Sequence, residues 1–212
     1  MHFAQDGQIC IHCEESAPRF DRAVAFGEYE DAFRGLIHLL KYQGVRPAAK
    51  PLGKALAQAI RPVLAEGEYL VVPVPLHRAR RRTRRFNQAE LIARAALREL
   101  RDPRLSLDPK VLVRTRFTES QTGFTREQRR RNLRGAFAVP DPARVSGRRV
   151  LLVDDVLTTG ATADECSRIL LRAGAQQVLV ATAARAVSLE GVAAATKTCS
   201  AQEPSVRETV SV

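Results

Sequence analysis

The chain has 212 residues, of which 45% are hydrophobic, and 34 basic against 23 acidic side chains leave a net charge of +11. That length and apolar content suffice for the core of one α/β domain. No segment has the unbroken apolar length of a membrane span and the amino end has no leader pattern, so a cytoplasmic protein is expected. The four cysteines are too sparse for a disulfide framework.

In chain order, Cys10-Ile11-His12-Cys13 comes first. Cys10 and Cys13, with His12 or His2, would make at best an incomplete Zn²⁺ site, since a structural site needs four ligands at defined spacing. Phe20, Phe26, Tyr29 and Phe33 follow as either core packing or stacking groups for a base. Phe117 and Phe124 carry the same two readings.

Phe33, Leu36, Ile37 and Leu40 recur at amphipathic spacing and predict a helix over Asp31 to Gln43, stopped at Gly44. Leu52, Leu56, Ile60 and Leu64 predict a second, with Pro62 as a break. Tyr69 to Val74 reads as a strand. A basic loop with Arg78, Arg80, Arg81, Arg82, Arg84 and Arg85 follows it. Asn87-x-x-Glu90 then caps a helix to about Leu100, ended by Asp102-Pro103. Lys110 to Arg116 is expected to return as a strand. Thr125-x-x-Gln128 opens a helix carrying Arg126, Arg129, Arg130, Arg131 and Arg134.

Arg149-Val150-Leu151-Leu152-Val153 has the continuous apolar character of a buried parallel strand. Thr162-x-x-Glu165 has the spacing of a capping box for a helix running to Gly174. Gln177 to Ala183 is a last strand, and Ala186 to Val212 a weakly ordered tail. Alternating strands and helices imply a mostly parallel central sheet flanked by helices.

The most informative stretch is Val153 to Thr162, where the buried strand ends in Asp154 and Asp155 and a turn follows with Thr158, Thr159, Gly160, Ala161 and Thr162. Open α/β sheets bind ligands beyond the carboxyl ends of their strands. Hydroxyls and free amides at a helix start hold an anion, and paired carboxylates suit ribose hydroxyls, directly or through Mg²⁺. The bland account of the same residues is an ordinary strand-to-helix turn. A Walker loop and a dinucleotide fingerprint are both absent here.

This string resembles the phosphoribosyl-pyrophosphate motif of type I phosphoribosyltransferases. Val72-Pro73-Val74-Pro75-Leu76-His77, Arg84-Arg85-Phe86-Asn87-Gln88-Ala89, Gln121-Thr122-Gly123 through Phe137, and Leu39-Leu40-Lys41-Tyr42 narrow the resemblance to the ComF family. It covers residues 20–185, so residues 1–19 stand as a remnant of a zinc-knuckle segment and 186–212 as the tail. Two features depart from the family pattern: Arg85 stands where the family has Gly, and a second Cys-x-x-Cys pair is missing.

The resemblance implies a type I phosphoribosyltransferase fold, with Asp154 and Asp155 on ribose and residues Thr158 to Thr162 on its 5′-phosphate. It also implies a part in DNA uptake during natural transformation, with competence and recombination proteins as partners. Arg78, Arg80, Arg82, Arg84, Arg126 and Arg129 are the candidate contacts for pyrophosphate or single-stranded DNA, since clustered cations concentrate polyanions. The competing readings are a nucleotide-salvage phosphoribosyltransferase with a basic surface, and arginines that merely solvate that surface.

Overall fold

In the computed structural model, residues 17–116 and 126–186 are described. Cys10, Cys13, the expected tail beyond Ala186, Phe117, Phe124 and the Gln121-Thr122-Gly123 segment lie outside the described residues. Among the described residues no helix is long and apolar enough to cross a membrane.

Five strands form one parallel sheet: β1 (Arg22–Glu28), β2 (Tyr69–Pro73), β3 (Leu105–Leu107), β6 (Arg149–Leu157) and β7 (Gln177–Arg185), in the order β1-β7-β6-β2-β3. Two short strands, β4 (Val113–Arg114) and β5 (Phe137–Ala138), pair antiparallel in a sheet of their own. The helices are α1 (Asp31–His38), α2 (Ala49–Ile60), α3 (Arg78–Arg84), α4 (Gln88–Leu100), α5 (Arg126–Leu133) and α6 (Ala161–Arg172).

Both sheet faces are covered, which is why β2 and the central stretches of β6 (Val150 to Val153) and β7 (Val178 to Ala181) run apolar rather than alternating. On one face Val150 and Leu152 pack with Ala163, Cys166 and Leu170 of α6. On the other, Leu151 and Val153 pack with Leu52 and Leu56 of α2 and Ile92 and Ala96 of α4. Helix α6, which follows β6, therefore covers one face, and α4, the second helix after the adjacent β2, covers the other with α2. Their divergence opens a crevice beyond the carboxyl ends of β6 and β2, the switch point at which open α/β sheets bind ligands.

Several expectations are corrected. The expected strand over Lys110 to Arg116 shrinks to Val113–Arg114 and leaves the main sheet, because its partner β5 runs antiparallel to it. The arginine loop after β2 is helical over Arg78–Arg84. Strands β1 and β3 were not expected. β1 mixes exposed and half-buried positions at the sheet edge, and β3 is only three residues long, so neither carries a clear period. The expected first helix ends in a π-helical turn, Leu39–Gln43, closed by Gly44 at φ 69°. Pro62 ends α2 as expected, through a 3₁₀ turn over Arg61–Val63. Asn87 caps α4 by accepting a hydrogen bond from the Ala89 amide, while Glu90 pairs with Arg94 instead of closing a box.

Two positions invite substitution. Gly53 on α2 lies where a Cβ would overlap the Ala95 Cβ and come 2.8 Å from the Ala96 amide nitrogen of α4. Gly53→Ala should lower stability by about 1–3 kcal/mol in urea titration, although alanine is the better helix former. Arg85, at the family's glycine position, adopts φ 63°. Arg85→Gly should raise stability by roughly 0.5–1 kcal/mol in the same assay by removing a left-handed side-chain penalty.

Candidate functional site at the carboxyl end of strand β6

Strand β6 continues through both carboxylates to Leu157, so Asp154 and Asp155 are held in extended backbone and do not follow the strand. Pairing of Asp154 with Thr182 and of Val156 with Ala184 on β7 keeps this end of the strand in register. Successive strand residues face opposite sides. Asp154 shares the face of Val150 and Leu152, whereas Asp155 shares that of Leu151 and Val153.

On the second face Lys41 meets Asp155, with Nζ 2.8 Å from Oδ1 and side-chain exposures of 23% and 12%. Lys41 sits in the π-helical turn after α1. Burial opposes its charge, yet Asp155, by charge and hydrogen bond, and Asp154 hold its pKa above the usual lysine value. On the first face Asp154 accepts a hydrogen bond from the Asp155 amide at 2.8 Å. Burial and then the neighbouring Asp155 charge push its carboxyl up to about 7, against the pull of Lys41, that amide and Arg114.

After Leu157 the chain turns through Thr158, which is exposed, and Thr159 and Gly160, which are half-buried. Gly160 takes φ 74° and is the N-cap of α6, with no side chain capping it. The expected capping box at Thr162 is corrected: Thr162 lies inside the first helical turn and Glu165 is engaged elsewhere. Glu165 accepts from the Gly135 amide at 2.8 Å and is gripped by both Nε and Nη2 of Arg168. Desolvation works to raise its pKa, but these bonds hold it below the usual glutamate value. Asp164 accepts from the Arg19 amide and lies 3.8 Å from Arg130 of α5. The carboxylates of α6 thus brace the helix from outside, and its first amides are left for an anion.

The arginine candidates divide. Arg78 lines a cleft of about 680 Å³ with Pro75, Asn87, Lys110, Arg114 and Thr115 beyond the end of β2. Arg84 stacks over the Tyr42 ring at 5.4 Å, next in sequence to Lys41. Arg80 and Arg82 lie on α3 between them, and Arg126 and Arg129 on α5. Sequence reasoning assigned no role to Lys41 or Arg114. A lysine in the last turn of an amphipathic helix reads as solvated, and the π-helical turn that places it has no sequence period. Among the ring candidates Phe20 is core, while Phe26 is 47% exposed and lies 5.8 Å from Phe33. Cys166 is a buried free thiol that packs against β6, and burial pushes its pKa well up.

Residues 87–206 match the phosphoribosyl transferase domain family. Over 84% of its length the chain is 33% identical to competence protein F of Haemophilus influenzae and covers 79% of that protein. The chain belongs to the ComF family of phosphoribosyltransferase-like proteins. Other ComF relatives extend the pattern. DNA utilization protein YhgH of Escherichia coli K12 is 34% identical over 81% of the chain and 75% of the relative. Competence protein ComFC of Bacillus subtilis is 25% identical over 78% and 67%. The parallel sheet, flanking helices and domain match together establish the type I phosphoribosyltransferase fold.

The elevated Asp154 pKa has a stability consequence in this ComF domain. The folded chain holds an extra proton between the ordinary aspartate value of 3.8 and about 7, so stability falls as pH rises through that window. Asp154→Asn removes the ionisation and keeps a carbonyl for the Asp155 amide. Its thermal midpoint should exceed that of the wild type at pH 8, and the gain should vanish near pH 4. An equal gain at both pH values would contradict this assignment.

Proposed function

We propose that the chain binds phosphoribosyl pyrophosphate with Mg²⁺ and takes part in DNA uptake, holding single-stranded DNA on its arginine surface in the cytoplasm. The observation that carries this reading is a largely buried acidic pair at the β6/β2 switch point, followed by a left-handed glycine and an uncapped helix start. Asp154 and Asp155 would accept hydrogen bonds from the ribose hydroxyls, and the amides and hydroxyls from Thr158 to Thr162 would hold the 5′-phosphate. Adjacent carboxylates combined with substrate oxygens are a donor set that suits Mg²⁺, which would neutralise charge on the pyrophosphate.

If the sugar–pyrophosphate bond breaks, positive charge develops on the ribose ring while negative charge leaves with pyrophosphate. Residues that hold those charges in place then matter more than a strong base. The acidic pair faces the first charge, and Arg78 and its neighbours on α3 supply the second role. Names tied to competence and DNA utilization among the relatives support the DNA reading. So does Tyr42, 68% exposed beside Arg84, as a ring on which a base can stack.

Calorimetric titration of phosphoribosyl pyrophosphate with Mg²⁺ should give saturable binding to the wild type, lost in Asp154→Asn/Asp155→Asn. Since the pair holds a proton near neutrality, affinity should also rise between pH 6 and pH 8. Binding retained by the double variant would refute the pocket. Single-strand affinity should fall steeply with salt, because phosphate contacts release counterions.

A further inference from the structure

Helices α2 and α4 pack closely through Gly53, and on their outer side they leave a groove of about 670 Å³. Its floor is aliphatic: Pro47, in the 3₁₀ turn before α2, and Ala49 and Pro51 in the first turn of α2 line it together with Leu91 and Ala95 of α4. Its rims are cationic. Arg46, Lys50 and Lys54 stand along one side and Arg94 and Arg98 along the other, against Glu99 as the one lining carboxylate. Arg94 is engaged by Glu90 at 2.8 Å. Lys50, Lys54 and Arg98 are exposed and make no ion pair with another described residue.

Three occupants have to be weighed. A second copy of this chain is disfavoured by the net charge of +11 together with the cationic rims. A nucleic-acid strand would find phosphate partners, but no aromatic residue lines the groove, and single strands are held by stacking on rings as well as by charge. A peptide with apolar anchors on one face and carboxylates beside them matches both the floor and the rims, in the manner of a helix laid into a groove. Charge complementarity on the rims and the ring-free aliphatic floor select the peptide.

We propose that the α2/α4 groove is a docking site for an acidic amphipathic peptide segment of a partner protein. Leucine-like anchors sit on the floor between Pro51 and Leu91, and the peptide's carboxylates meet Lys50, Lys54 and Arg98. The site lies on the outer face of helices that cover the sheet and is separate from the acidic pair, so it stands or falls independently of the sugar-phosphate reading.

The test uses the full chain and fluorescence anisotropy. The probe is a labelled helical peptide of roughly four turns, with Leu at i, i+3 and i+7 positions and Glu or Asp elsewhere. Comparison probes are the same peptide with each Leu replaced by Ser, and a single-stranded oligothymidylate. Lys54→Glu/Arg98→Glu should weaken the Leu-containing peptide at least tenfold, whereas Arg172→Glu, a charge reversal at the end of α6, should leave it unchanged. Thermal unfolding of each variant verifies that the fold is kept.

Loss of affinity in the Leu-to-Ser peptide is the expected mark of the apolar floor. The proposal is overturned by the absence of saturable peptide binding to the wild type. It is equally overturned if both peptides bind alike, if Lys54→Glu/Arg98→Glu leaves peptide binding intact, or if that variant abolishes oligothymidylate binding while sparing the peptide.

Discussion

The burial of two successive carboxylates in the last turn-ward residues of β6 is the constraint on which the rest of the site depends. An unpaired buried charge is costly, and two adjacent ones repel. The fold answers by sending them to opposite faces of the strand. Asp155 is neutralised by Lys41, and Asp154 retains a proton up to about neutrality while accepting a backbone amide. The first solution requires α1 and its π-helical turn to dock on one face and deliver Lys41, whereas the second needs only burial and the Asp155 amide.

Around that pair the chain leaves a helix start without an internal cap. Gly160 turns the backbone in the left-handed region, and the carboxylates of α6 that could have folded back onto its first amides point outward to Arg19, Arg130, Arg168 and Gly135. The contacts with Arg19, Arg130 and Gly135 pin α6 to the residues before β1, to α5 and to the turn after it, while Arg168 grips Glu165 within α6. The amino end of the helix is therefore positioned by long-range bonds while its own first amides have no side-chain cap.

Charge is distributed to match. Arg78 lines the cleft beyond β2 and Arg84 lies against Tyr42, next in sequence to the Lys41 that pairs with Asp155. The outer groove between α2 and α4 presents a second cationic surface of a different kind, with an aliphatic floor and no rings.

Much of this was legible in the chain itself. The apolar run before Asp154, the Asp-Asp and Thr-Thr-Gly order, and the Asn87 cap are local patterns whose physics acts within a few residues. They carried the fold class and marked the carboxyl end of β6 as the candidate site. Other features required the folded molecule. Strand β6 outruns its apolar segment because pairing with β7 holds Asp154 and Val156 in the ladder, which no local propensity encodes. Thr162 fails to cap because the helix begins at Ala161 with Gly160 as its N-cap, which puts Thr162 inside the first turn. Lys41 reaches Asp155 across more than a hundred residues, and β4 abandons the main sheet for β5. Sequence determined which charged, hydroxylated and glycine residues stand together at the end of β6, because those are properties of single residues and their order. Tertiary structure decided which of them neutralise one another, because that depends on which faces the sheet brings together.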